Sequence, residues 1–248
     1  MDHFLNKVSI PLLLPFLLMQ GLWVRLRTPR LPGAAGPCSG AVGGEENPFA
    51  LIVIGESPVA GIGAPTHETA ITGQTASALS GLLGRGVIWR AFGLSGATAG
   101  RALREIVPIM PYRRADAVVI ALGVNDVIHW HGISKWSTDL EGLIAGVRER
   151  AGDCLIVLTG VPPLQYFPAL PRPLKSVLGQ RARLLDRASV RIAAAMPGII
   201  HVSSQFELTR EFFCEDGFHP SEWGYAQWGR RLAEIIASAG ERARRPYV

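Results

Sequence analysis

From residue 49 onward, unbroken apolar runs alternate with stretches whose apolar residues recur at helical spacing. Residues 49–55 read FALIVIG, apolar throughout and closed by glycine, the pattern of a strand buried on both faces. Similar runs predict strands at 86–92, 116–122, 154–160 and 198–203. Between and after them, helical spacing appears near 67–82, 98–107, 134–151, 174–195 and 221–239. About five strands alternating with helices imply parallel βαβ units with right-handed crossovers. The expected fold class is therefore α/β, a three-layer α/β/α sandwich.

Ahead of this domain the pattern changes twice. Residues 8–24, VSIPLLLPFLLMQGLWV, are strongly apolar, though Pro11, Pro15, Gln20 and Gly21 weaken a straight helix. A secretory signal would carry positive charge before such a run and a small-residue cleavage site after it. Here only Lys7 precedes it, offset by Asp2, whereas Arg25, Arg27 and Arg30 follow. The segment reads as an uncleaved anchor that contacts a membrane, either spanning it with the domain on the cytoplasmic side or lying flat on its surface. The competing reading is a helix that covers the domain's own surface. Residues 28–48 hold four prolines (Pro29, Pro32, Pro37, Pro48) and many glycines without periodicity, which reads as a linker. The expected organisation is thus an apolar segment at 1–27, a linker at 28–48 and a domain at 49–248.

Composition narrows the function classes. Hydrophobic residues make up 48% of the 248 positions and charged ones 18%, enough apolar material for a real core. The net charge of +5 comes from scattered arginines with no basic run interleaved with aromatics, so nucleic acid is not an expected partner. Cys38, Cys154 and Cys214 form no CxxC and no paired spacing, which argues against a disulfide framework or zinc site, and Cys154 sits in an apolar run as a small core residue.

Candidate chemistry gathers where the strands end. Ser57 follows the first strand of the domain, the sequence GLSGATA with Gly96 follows the second, and Gly123-Val124-Asn125-Asp126 follows the third. Asp216-Gly217-Phe218-His219-Pro220 lies beyond the fifth. In a doubly wound sheet all these carboxyl ends share one edge, so distant positions converge there. Ser57 is either a nucleophile or a helix cap. Asp216 and His219, three apart, share one face of a helical turn, which lets the carboxylate fix the imidazole tautomer and leaves the other ring nitrogen free as a base. Pro220 then suits the first position of the next helix. Asn125 offers an amide donor and Gly96 an unshielded backbone N–H.

In this order, Gly55-Glu56-Ser57, Gly96, Gly123-Val124-Asn125-Asp126 and Asp216-x-x-His219 resemble the motif blocks of the SGNH, or GDSL-type, hydrolases. The resemblance covers about residues 50–238 and implies a flavodoxin-like sheet, ester or thioester hydrolysis, and no metal or cofactor. It implies that Ser57 is the nucleophile and that Asp216 and His219 complete a catalytic triad. It further implies an oxyanion hole made by the N–H groups of Ser57 and Gly96 with the Asn125 side chain. The substrate expected is a small-molecule ester with a small or lipid-like acyl group, with lysophospholipids, thioesters and acetylated carbohydrates as alternatives within the family. One departure stands out: the family's usual Asp before the nucleophile is Glu56 here, and its extra methylene is expected to loosen the turn that aims Ser57. A catalytically inactive binding module is the corresponding alternative.

Other features carry less. His129-Trp130-His131 invites a metal reading, but no third ligand is near in sequence. Gly61-Ile62-Gly63 hints at a dinucleotide fingerprint, yet the third glycine is missing and no acidic residue ends the second strand. In the proline-rich stretch 161–173, Tyr166, Phe167 and Leu170 are candidates either for a pocket wall or for packing on the sheet rim.

Overall fold

The computed structural model describes residues 2–44, 46–203 and 208–244; Glu45 of the expected linker lies outside the described residues. The chain begins with α1 (Asp2–Arg27), β1 (Ser39–Val42), β2 (Phe49–Gly55), α2 (Ile71–Leu83), β3 (Val87–Gly93) and α3 (Ala99–Glu105). It continues through β4 (Ala117–Ala121), α4 (Val124–Ile128), α5 (Ile133–Ala151) and β5 (Leu155–Thr159), and ends with α6 (Leu174–Ala195), β6 (Ile199–Val202) and α7 (Glu222–Arg244).

One six-stranded sheet has the order β1-β3-β2-β4-β5-β6. β2 pairs in parallel with both β3 and β4, so the direction of winding reverses there, and the crevice beyond the end of β2 is where such sheets bind ligands. All of β4 and the last five residues of β2 are buried, as their uninterrupted apolar sequences require. α2 packs on α7, while α3, α5 and α6 pack in succession. Right-handed crossovers place these two groups on opposite faces of the sheet and complete the three layers.

Two elements differ from the sequence reading. Ser39–Val42, inside the expected linker, forms an antiparallel edge strand on β3. Its Gly40 passes over the Trp89 ring, where a Cβ would lie 2.6 Å from the indole. The sheet therefore has six strands, five of them parallel. The N-terminal segment is the helix α1, which is docked on the domain. Leu17 is buried, and the Gln20 side chain donates to Arg172 O at 2.7 Å and accepts from Leu174 N at 3.1 Å. Among the described residues, no helix is long and apolar enough to cross a membrane. The surface-covering alternative is the one these contacts match.

Candidate active site

The edge formed by the ends of β2, β3 and β4 carries Ser57, Gly96 and Asn125, while Asp216 and His219 lie in the segment between β6 and α7. β2 ends at Gly55, where no side chain fits: a Cβ there would lie 2.2 Å from the Ala121 carbonyl of β4. The chain then folds into a tight turn, with Val59 N donating to Glu56 O at 2.9 Å and Ile62 N to Ser57 O at 3.1 Å. Buried Tyr225 of α7 secures this loop by donating its hydroxyl to Ile62 O at 2.6 Å. Ser57 caps no helix, because α2 begins only at Ile71 and has no side-chain cap. The hydrogen-bond partner of its hydroxyl is Ser95 Oγ at 3.3 Å, in the loop after β3. Ser95 belongs to GLSGATA, but a serine in a glycine-rich turn carries no mark in sequence that would single it out. Gly96, next to it, has a φ of +75°, a left-handed conformation that favours glycine. Among the described residues, the N–H groups of Ser57 and Gly96 have no protein acceptor.

Glu56 does not loosen the turn. It is buried, and its extra methylene carries the carboxylate to the start of α4. There it accepts the N–H of Val124 at 3.0 Å, that of Asn125 at 3.1 Å, and one N–H of the Asn125 side chain. The clamp ties the residue before Ser57 to the loop after β4 and leaves the second amide N–H of Asn125 uncommitted to Glu56. Burial pushes the Glu56 carboxyl up to about 8, against the lowering pull of the Val124 and Asn125 N–H groups. The folded protein then binds this proton more tightly than the unfolded chain. The stability it contributes is complete below about pH 4.5 and is lost as pH rises through about 8. Relative to Glu56→Gln, which cannot titrate, the wild type is expected to lose on the order of a few kcal/mol across that window. Urea unfolding of both proteins at stepped pH measures the difference, and parallel profiles would refute it.

Asp216 and His219 do not share a helical turn. They form an Asx-type turn in which Asp216 Oδ1 accepts the N–H of Phe218 and of His219, each at 2.9 Å. Asp216 Oδ2 lies 2.6 Å from His219 Nδ1, which leaves Nε2 as the open ring nitrogen. Burial alone would raise the Asp216 carboxyl, but the bonds from the His219 ring and the two N–H groups outweigh it and hold it below the ordinary value. Pro220 is not the first residue of α7; Ser221 caps that helix by accepting Gly224 N at 3.1 Å.

Ser57, Asn125 and His219 line one narrow cleft of about 70 Å³. Apart from Glu56 and Thr159 its remaining wall is apolar, with Phe167, Phe213, Phe218 and Trp228 among the residues that face it. Of the proline-rich stretch, Phe167 is in this wall, whereas Tyr166 is 62% exposed.

Asp126, read from sequence as a turn former, is fully buried: Oδ2 accepts Ala99 N of α3 at 3.0 Å and Oδ1 lies 2.8 Å from His131 Nδ1. With Asp139 these residues bring three ligand-type atoms within 4.8 Å of one another, a grouping that the spacing of the two histidines did not reveal. One of the two carboxylates is already paired, since Lys135 Nζ stands 2.8 Å from Asp139. Cys154 is buried as expected, which pushes its thiol up to about 11.

Residues 53–227 match the GDSL-like lipase/acylhydrolase family. The chain belongs to that family. It is accordingly a hydrolase, and its fold is that of known family members. A family 3 carbohydrate esterase from Clostridium thermocellum superposes with a TM-score of 0.60 at 18% identity, covering 78% of this chain and 98% of that one. A lipase/acylhydrolase from Enterococcus faecalis gives 0.59 at 19% identity, covering 77% and 96%. Est24, a carbohydrate acetylesterase from Sinorhizobium meliloti, gives 0.57 at 17% identity, covering 77% and 99%. No curated protein matches the chain by sequence.

Proposed function

We propose that this hydrolase is a serine esterase that cleaves carboxylic esters through an acyl-enzyme. The observation that carries the reading is that Ser57 and His219 wall one small apolar cleft while Asp216 Oδ2 stands 2.6 Å from His219 Nδ1. Nε2 of His219 is then the free base. Rotation of the Ser57 hydroxyl away from Ser95 presents its proton to Nε2 as Oγ attacks the acyl carbonyl carbon. The carbonyl oxygen takes up the negative charge and is met by the N–H groups of Ser57 and Gly96 and by the Asn125 amide. Collapse of this intermediate breaks the ester C–O bond, and His219 returns the proton to the leaving alcohol. Water then attacks the acyl-enzyme, gives its proton to His219, and a second collapse releases the carboxylic acid and restores the Ser57 hydroxyl. Each step is a proton or acyl transfer that Ser57, His219 and the donors carry themselves.

The Glu56 clamp supports activity over an inactive binding module. It fixes both the Ser57 turn and Asn125, so the departure from the family's usual Asp retains the link between the nucleophile and an oxyanion donor. The likeness to carbohydrate esterases and to a lipase leaves acetylated sugars and lipid-like esters as the substrate classes in play.

A fluorophosphonate probe tests the reading directly, because only an activated serine reacts. Stoichiometric labelling of the wild type, with the modified peptide containing Ser57, is the expected result; no labelling, or labelling elsewhere, would reject it. Asn125→Ala is expected to lower kcat roughly 10²–10³-fold with p-nitrophenyl acetate, the cost of losing one oxyanion donor. A change confined to KM would instead make Asn125 a substrate-binding residue.

A further inference from the structure

The cleft at Ser57 is not closed on all sides. Phe218 and His219 also line a second depression, about 580 Å³ in volume, that runs between α1 and the rest of the domain. The first space is far below the size usual for a ligand pocket, and the second falls within it. Any substrate whose ester sits at Ser57 and whose chain passes His219 enters this groove.

Its walls are built for an apolar occupant. On α1 the residues Leu14, Leu18, Gly21 and Arg25 lie at successive helical spacings and form one stripe along the groove. Leu174 and Leu178 of α6 face it from the domain, with Ile128 and Trp130 from the end of α4. Among the described residues, Arg25 and His219 are the two ionisable side chains in the lining. Gly21 makes the room: a Cβ at that position would meet nothing within 4 Å. Gly21 therefore interrupts the row of side chains that α1 sets along the groove.

Trp130 adds an independent observation. Its φ is +59°, a conformation that costs a bulky residue on the order of 1–3 kcal/mol and persists only where its surroundings enforce it. Arg181 enforces it twice, with its guanidinium 4.3 Å from the indole centroid and an N–H donated to His131 O at 2.9 Å. The result is an indole held in the wall of the groove.

We infer that this groove binds the acyl chain of the substrate, making the enzyme selective for esters of longer, unbranched fatty acids and giving α1 the role of one wall of the acyl site. The inference rests on the serine-esterase reading, which fixes where the ester sits. The N-terminal segment is then part of the specificity apparatus. Its exposed leucines lie over a binding site as well as on a surface.

The test compares p-nitrophenyl acetate with p-nitrophenyl decanoate in the wild type, Gly21→Trp, Leu18→Gln and Ser57→Ala. The Cβ of a tryptophan in place of Gly21 meets nothing within 4 Å, and the residue replaces a poor helix former, so the fold is expected to survive. Leu18 is 62% exposed, so its polar replacement removes apolar wall at little cost in stability. The wild type is expected to prefer the decanoate in kcat/KM, and each groove variant to lower the decanoate-to-acetate ratio about tenfold, what the loss of roughly two buried methylenes costs. A ratio within twofold of wild type in both groove variants, with both esters dead in Ser57→Ala, would overturn the acyl groove and leave the serine mechanism standing. Both esters turning over normally in Ser57→Ala would overturn the mechanism and the groove with it.

Discussion

Ser57→Ala is expected to lower kcat on the order of 10⁴-fold or more against p-nitrophenyl acetate while leaving the fold intact. The two halves of this expectation come from different contacts. Among the described residues the hydroxyl has a single partner, Ser95 Oγ at a long 3.3 Å, so its removal forfeits about 1 kcal/mol of hydrogen bonding. The backbone that shapes the turn is held by other groups: Val59 N on Glu56 O, Ile62 N on Ser57 O, and the Tyr225 hydroxyl on Ile62 O. None of these involves the Ser57 side chain. Catalysis by the proposed mechanism, by contrast, loses the atom that forms the acyl bond. What remains is ester bound beside His219 and the oxyanion donors, which can accelerate direct attack by water but form no intermediate. Circular dichroism and thermal unfolding should overlay those of the wild type, and burst kinetics should vanish. Turnover within tenfold of wild type would end the role of Ser57 as nucleophile, and the neighbouring Ser95 would then be the first residue to examine in its place.

Much of this arrangement is legible in the sequence, and the exceptions have physical reasons. β2 was expected at the boundaries it adopts, because a strand buried on both faces must be apolar throughout and FALIVIG admits little else. α6 likewise follows its helical periodicity from end to end. β1 escaped notice because it is four residues long and pairs along one edge only. Its pairing depends on the flat surface of Trp89, which no local pattern in Ser39–Val42 announces. α4 is a single short turn of helix in which Gly123, Asn125 and Asp126 look like loop formers, and the adjoining ends of β2 and β4 decide its conformation.

At the site, motif order was enough to single out Ser57, Asn125 and His219, which line one cleft, but not what the neighbours of each do. Glu56 is the clearest case. Judged by chain length alone it appeared to be a defect, since a carboxylate one methylene further out cannot occupy the position of an aspartate. Its actual role depends on the register of β2 against β4, which sets Gly55 beside Ala121 and brings the N–H groups of Val124 and Asn125 within reach. The Asp216–His219 pair shows the converse. The pairing was expected on helical geometry, but the chain achieves it by an Asx turn, since Asp216 spends its second oxygen on two backbone N–H groups.

That division of labour within one carboxylate makes Asp216→Asn the sharpest probe of how His219 is oriented, with an expected fall in kcat of about 10⁴-fold at neutral pH. The two N–H groups at Oδ1 require an acceptor, so the replacement amide must keep its oxygen there and turn its NH₂ toward His219. An NH₂ group facing Nδ1 can only donate. The imidazole is then driven to the tautomer with its proton on Nε2, and the lone pair that would receive the Ser57 proton is gone. The turn itself survives, so binding should be little affected and KM should stay within a fewfold of wild type. The carboxylate's contribution to stability must also disappear with a defined sign. Because folding holds Asp216 below its ordinary value of 3.8, the wild type gains from it above that pH and loses the gain as acid titrates it, whereas the asparagine variant has no such acid-dependent component. Kinetics at neutral pH and urea unfolding stepped from neutral pH down to below 3.8 therefore read two consequences of one substitution. A loss of activity of only a fewfold would mean that His219 is oriented by something other than Asp216, and stability profiles of identical slope would mean that the carboxylate is not held by the three donors that surround it.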